Sequence, residues 1–160
     1  MKSLLLILFS FFCAKIYSQD SLRINQINSI VNTIIHSDLP TEQDSTLQDY
    51  PGLGLSMKKY ITLVTYGKEL KKYSQFIKTT KTENSITKQE VAGNAFYYDQ
   101  NKLIKVEEFL TQDGKENKAE WYFSDDKCFY HTLKSDKAED RIHLLLDLSN
   151  GFIKKVSGQN

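Results

Sequence analysis

Two glutamates and one histidine are the residues of this sequence whose types and predicted spacing best fit metal binding or acid–base catalysis. Glu107, Glu120 and His131 fall on three successive predicted strands. Where two-residue turns join these strands, Glu107 lies directly across from Glu120, and Asn94 and His131 extend the row at its two ends. Two carboxylates and an imidazole are suitable ligands for a divalent metal, and a partly buried carboxylate pair is suited to acid–base catalysis.

This acidic pair requires a neutralising partner, because like charges directly across a sheet destabilise it. We predict that protonated His131 is the partner of Glu107 and Glu120, with a metal ion as the alternative. The simplest interpretation of the row is a solvated sheet face on which the two carboxylates splay apart. Metal binding and catalysis are the sharper interpretations.

The remaining chemistry-bearing residues fit no known catalytic arrangement. Cys128 and His131 lie three positions apart on one predicted strand, so they point to opposite faces and cannot form a nucleophile–base pair. Glu108 falls beside Gly93 on the apolar face, where it is either an edge residue reached by water or a buried acid with a raised pKa. The sequence has no glycine-rich phosphate loop, serine-centred elbow or cysteine-pair zinc spacing. We therefore predict no cofactor and assign no catalytic residue.

Antiparallel strands must position these residues, because the chain from Lys58 onward is rich in β-branched and aromatic side chains. The predicted strands are 58–66, 69–81, 86–98, 102–112, 115–124 and 127–134. The predicted two-residue turns are Gln100-Asn101, Asp113-Gly114 and Asp125-Asp126, and glycine favours the second because it adopts positive φ readily. Apolar residues within 58–80 also recur near helical spacing, so a helix is the alternative there.

These turns predict a register and two sheet faces. Trp121 lies across from Val106 and Tyr130, and Phe123 lies across from Ile104 and Cys128. The predicted core face comprises Tyr97, Ile104, Phe123, Cys128, Ala95, Val106, Trp121 and Tyr130. The opposite face is mixed, with Lys105 and Lys118 among Phe96, Leu103, Phe109, Tyr122, Phe129 and Leu133. A face of this composition is either covered by a helix or binds a partner. The candidate binding residues are Asn94, Glu107, Glu120, His131, Tyr122 and Phe129.

Helices are predicted at both ends of this sheet. Residues 20–36 carry apolar side chains at helical spacing, and Asp38-Leu39-Pro40 ends that helix. Residues 37–56 are predicted to be a loop. Residues 137–155 form a second predicted helix, with a further strand at Arg141–Leu148 as the alternative. The fold class is α+β: an N-terminal helix, a six-stranded antiparallel β-meander and a C-terminal helix.

The first 18 residues resemble a secretory signal peptide. Lys2 precedes a short apolar run, and Ser18 is a suitable residue before a cleavage site. Cys13 raises the alternative of a lipid anchor. Residues 19–160 are then predicted to be a single globular domain that is secreted or periplasmic. Cys128 is its one remaining cysteine, which excludes an intrachain disulfide.

The net charge and the apolar runs of the sequence indicate which classes of partner to expect. The formal net charge is +1 for all 160 residues, so nothing favours nucleic acid as a partner. No apolar run after the signal peptide is long enough to span a membrane. We expect a non-catalytic module that binds an unknown ligand or envelope protein through the mixed face. The alternatives are a metal-assisted hydrolase using Glu107, Glu120 and His131, and a structural envelope protein.

Overall fold

A computed structural model describes the backbone of residues 2–112 and 114–158, and the side chains from residue 19 onward within those ranges. The predicted signal peptide, with Cys13, and the turn residue Asp113 therefore lie outside the residues with described side chains. The elements are α1 (Lys2–Ile35), β1 (Thr41–Tyr50), a 3-10 turn (Pro51–Leu53), β2 (Leu55–Tyr66), β3 (Glu69–Glu83), β4 (Ile86–Asp99), β5 (Lys102–Gln112), β6 (Lys115–Ser124), β7 (Lys127–His131) and α2 (Ala138–Ser157).

The α+β prediction is confirmed, with strands that follow one another across a single antiparallel sheet in chain order. The bounds of β5 and β6 agree with the predicted strands 102–112 and 115–124. The alternative helix within 58–80 is wrong, because that segment forms β2 and β3. The alternative strand at Arg141–Leu148 is also wrong, because α2 runs through it.

The sheet has seven strands rather than six, because β1 lies in the segment predicted to be a loop. All ten residues of β1 are exposed, and the strand pairs with β2 at the edge of the sheet. Its sequence therefore lacks the apolar alternation by which buried strands are recognised. A polar edge strand of this kind discourages pairing with other chains.

The predicted register is correct between β5 and β6 but shifts by one residue between β4 and β5. Asp99 pairs with Lys102 across the predicted turn, whose two residues, Gln100 and Asn101, both have positive φ. A β-bulge at Ile104 then displaces the pairing, so that Ala95 faces Glu107 instead of Val106. Beyond an inserted residue, every residue of the neighbouring strand pairs one position further along, so the side chains that share a face change.

Another β-bulge shifts the pairing of β6 and β7 by one residue. Phe123 pairs with Cys128 as predicted, but Trp121 pairs with His131 instead of Tyr130. The predicted pairing of Trp121 with Val106 is confirmed. The ladder between β5 and β6 ends at Lys105 and Tyr122, one position before the predicted pair of Ile104 and Phe123.

Two apolar cores lie on opposite faces of the sheet, where one core was predicted. The α2 face, as we name it, buries Leu70, Tyr73, Phe96, Tyr98, Leu103, Val106, Trp121 and Phe123 with Leu145 of α2. The α1 face buries Ala95, Tyr97 and Tyr122 against Ile27 and Val31 of α1. The sequence predicted three further residues on the face of Trp121, namely Ala95, Tyr97 and Ile104. The bulge at Ile104 places them on the α1 face instead. Tyr130, a predicted core residue, is exposed. Over the part of the chain that the structure describes, no helix is long and apolar enough to cross a lipid bilayer.

Truncation of Trp121 tests the core on the α2 face. Its side chain is 0 % exposed, and deletion of a buried indole leaves a cavity that the surroundings fill only in part. We expect Trp121→Ala to lower the free energy of unfolding by about 3–5 kcal/mol in urea denaturation. Tyr66→Ala is the control, because Tyr66 is an aromatic residue that is 64 % exposed. Equal losses in both variants would contradict this core assignment.

Candidate functional site

The predicted polar row is divided between the two faces of the sheet. Glu107 and Glu120 pair directly across β5 and β6, as predicted, on the α1 face. Asn94 instead pairs with Glu108 on the α2 face, and His131 joins that face beside Trp121. The bulges cause this division, because one shifts β4 by one residue relative to β5 and the other shifts β7 by one residue relative to β6. The row of four is therefore wrong, although its central pair is correct.

Lysine, and not the predicted His131, neutralises the acidic pair. Lys105 Nζ lies 2.8 Å from Glu107 Oε1 and 3.0 Å from Glu120 Oε1. Lys118 Nζ is farther away, at 3.5 and 3.6 Å from the same two oxygen atoms. Alternation along the strands placed both lysines on the face of the glutamates, so the sequence did carry this signal.

Helix α1 covers this ion cluster. Lys105 is 4 % exposed, and its Nζ donates a hydrogen bond to Asn28 Oδ1 of α1 over 3.1 Å. The Tyr122 hydroxyl donates to the same oxygen over 3.1 Å. The Arg23 guanidinium of α1 lies 5.0 Å from the ring centroid of Phe129. Tyr122 and Phe129, two of the predicted binding residues, thus contact α1 and hold it on the sheet.

The pKa values of this cluster follow from burial and pairing. Burial lowers the pKa of Lys105, but its hydrogen bonds to Glu107 and Glu120 outweigh that effect and raise the pKa above its ordinary value. Burial raises the pKa of Glu107, but the hydrogen bond and charge of Lys105 outweigh it, so the net shift is downward. Both groups are therefore charged near neutral pH, and their arrangement is that of a structural ion cluster.

The three residues of the hydrolase alternative do not converge. His131 stands on the α2 face, where its ring lies 5.1 Å from the ring of Trp121. Glu107 and Glu120 lie on the other side of the sheet. Among the residues that the structure describes, no group of three or more His, Cys, Asp and Glu side chains is arranged to hold a metal ion. A metal-assisted reaction needs these three side chains around one point, and the sheet separates His131 from the two glutamates.

A groove of about 800 Å³ opens on the α2 face, beside the first turns of α2. Its floor is formed by side chains of β2 to β6, among them Lys59, Gln75, Ile77, Ala92, Asn94, Glu108 and Leu110. Its wall is formed by Leu133, Lys137, Asp140, Arg141 and Leu144. We call this the α2 groove. Of the predicted binding residues, it contains Asn94 alone.

One end of the groove floor is fixed by an ion pair. Glu108 accepts hydrogen bonds from Trp121 Nε1 at 2.9 Å and from Arg141 Nε at 3.0 Å, and Arg141 Nη2 donates to it as well. Pairing with Glu108 raises the pKa of Arg141. Glu108 is therefore not at an edge of the sheet, since β5 is an inner strand, and its partly exposed carboxylate is paired with Arg141. It connects α2 to the sheet.

Asn94 is the unusual residue of the floor. It is 9 % exposed, and its Oδ1 accepts no hydrogen bond from any described residue. A buried carbonyl oxygen without a donor carries an uncompensated desolvation cost. This oxygen atom is itself fully buried, so the fold carries the cost and no group in the groove reaches the atom.

The sequence did not reveal the other groove residues. Arg141 and Leu144 belong to α2, and nothing in a single helix pattern indicates which part of a sheet the helix crosses. Lys59 and Ile77 lie on strands whose register with β4 no short motif determined. The period-2 alternation of each strand was the usable signal, and it failed only where a bulge interrupted it.

Acid titration tests the ion cluster under α1. The folded pKa of Glu107 lies below its unfolded value of about 4.3. Its contribution to stability is therefore present above that pH and is lost as the pH falls through the folded pKa. We expect Glu107→Gln to reduce the dependence of the free energy of unfolding on pH below about 4.3. Glu116→Gln, at an exposed position of β6, is the control. Superimposable slopes for Glu107→Gln and the wild type would refute the pairing.

Comparison with protein-family models, with curated proteins and with solved structures found no match to this chain.

Proposed function

We propose that this chain is a non-catalytic binding module whose ligand is a small, largely apolar molecule held in the α2 groove. The observation that supports this most is the groove itself, whose volume of about 800 Å³ is typical of small-molecule sites. Apolar side chains such as Ile77, Leu110 and Leu144 contribute to its lining, and polar groups converge at one end. A few fixed polar groups in an apolar recess are what orient a ligand.

The α2 face supports this function better than the mixed face predicted from the sequence. On the α1 face, Tyr122 is 2 % exposed and the charges of Glu107 and Glu120 are already paired by Lys105. On the α2 face, the helix packs on the core around Trp121, while the sheet continues past Arg141 as the floor of the groove. The ligand surface is thus the part of the sheet that neither core uses.

Fluorescence titration with dansyl-labelled undecanoic acid tests the groove. Ala92 is a small, exposed residue of the floor, so Ala92→Trp fills the groove without disturbing either core. We expect saturable binding to the wild type and an affinity loss of about tenfold or more in Ala92→Trp. Thr87→Trp, at an exposed position of β4 outside the groove, should bind like the wild type. Absence of saturable binding, or binding unchanged by Ala92→Trp, would refute the proposal.

We also propose that the protein functions outside the cytoplasm after cleavage behind Ser18. The basic start and short apolar run of the sequence support this. The α1 residues that the structure shows buried, Ile27, Val31 and Ile34, all lie after that position, so all three would remain in the mature chain. N-terminal sequencing of protein from the cell envelope should show a first residue near Gln19. Cytosolic protein that retains Met1 would contradict export.

A further inference from the structure

We propose that the α2 groove selects an amphiphile with one unbranched chain and one carboxylate, the chemistry of a fatty acid anion, and that Lys59 binds the carboxylate. This inference rests on the proposed binding function and adds the head group, the residue that holds it and the direction of the chain. The chain lies across the strands, from β2 towards β6. Three features of the groove support this assignment: the row of side chains on its floor, the exposure of its apolar residues and its uncompensated charge.

One row of side chains crosses the floor from β2 to β6. Lys59 pairs with Ile77, and Ile77 pairs with Ala92. Ala92 pairs in turn with Leu110, and Leu110 pairs with Asn117 of β6. Neighbouring strands lie about 4.8 Å apart, so Leu110 is about 14 Å from the strand that carries the lysine. The row therefore has a cation at one end and three apolar side chains beyond it, which is the pattern of an amphiphile with one chain.

The apolar part of this row is left open to solvent. Leu110 is 39 % exposed, and Leu144 of α2, which lines the same groove, is 45 % exposed. Ala92, the middle residue of the strip, is exposed as well. An unbranched alkyl chain covers this strip, and each methylene group that it buries strengthens binding by up to about fourfold.

Lys59 has no carboxylate directly beside it. Its cross-strand neighbours, Thr46 on β1 and Ile77 on β3, are neutral. Asp44 lies two positions along β1 from Thr46, in the next row of the sheet, and within the described part of the chain it forms no ion pair with Lys59. The lysine therefore offers its charge to a carboxylate at the β2 end of the strip.

The other cations of the lining are compensated. Arg141 is paired with Glu108. Lys118 reaches the acidic pair of the α1 face. Lys137 immediately precedes the first turn of α2, which carries two acidic residues, and one of them, Asp140, lines the groove. The cation of β2 is therefore the one that remains uncompensated in the described lining, and it favours a ligand with a single negative charge.

A matched pair of probes separates the head group from the chain. Dansyl-labelled undecanoic acid and its primary amide share the chain and the fluorophore, but only the acid is charged at neutral pH. We expect fluorescence titration of the wild-type chain to show a preference of about fivefold to tenfold for the acid. Lys59→Gln should remove this preference by weakening binding of the acid alone.

Lys58→Gln is the matched control for the change in net charge. Lys58 precedes Lys59 on β2, so its side chain points to the opposite face, where its Nζ lies 4.8 Å from the ring centroid of Tyr60. This variant should retain the preference of the wild type for the acid. Equal weakening of the acid by both lysine variants would overturn the assignment of Lys59.

Leu110→Ala tests the direction of the chain. Leu110 lies at the end of the strip far from Lys59, so its truncation should weaken the acid and the amide by the same factor, about threefold or more. The preference for the acid should remain. A loss confined to the acid, or no loss with either probe, would overturn this direction.

The failures of the two proposals are distinguishable. If the acid and the amide bind the wild type equally, and Ala92→Trp weakens both, the head-group assignment is overturned while the groove remains a binding site. If neither probe binds the wild type, or if Ala92→Trp changes the binding of neither, the ligand class and the binding function are both overturned.

Discussion

One inserted residue, Ile104, determines which side chains of β4 share a face with those of β5. Without it, the hairpin of β4 and β5 would pair Ala95 with Val106 and would place Asn94 opposite a different residue. With it, Asn94 faces Glu108 and Ala95 faces Glu107. Because side chains alternate strictly along a strand, a shift of one residue exchanges the contents of two faces. The division of the two cores and the floor of the groove depend on this exchange.

A buried lysine is stable on the α1 face because its ammonium group is fully supplied with acceptors. Lys105 lies under α1, where Glu107, Glu120 and Asn28 together supply acceptors for its ammonium group. Removing a single partner from such a cluster would leave an uncompensated buried charge, which is far more costly than the intact cluster. The α1 face is therefore closed by polar contacts as well as by apolar packing. The proposed ligand site lies on the α2 face, where the groove leaves part of the sheet uncovered.

The parts of the fold that could be predicted are those encoded locally. The strand bounds of β5 and β6 and the turn at Gln100-Asn101 follow from short stretches of sequence, because turn residues and alternation act over a few positions. Strand β1 was missed because an exposed edge strand needs no apolar residues. The bulges were missed because they have no sequence signature of their own and are stabilised by packing on both faces. Asn94 and His131 were therefore assigned to the wrong face, and with them the candidate site.

The register of β4 against β5 brings Asn94 and Glu108 side by side in the floor of the groove. Interstrand nuclear Overhauser effects between backbone protons measure this pairing directly. The bulged register predicts cross-strand contacts between Asn94 and Glu108 and between Ala95 and Glu107. Contacts of Ala95 with Val106 and of Gly93 with Glu108 would show a regular hairpin instead, and would contradict both the division of the two faces and the site built on it.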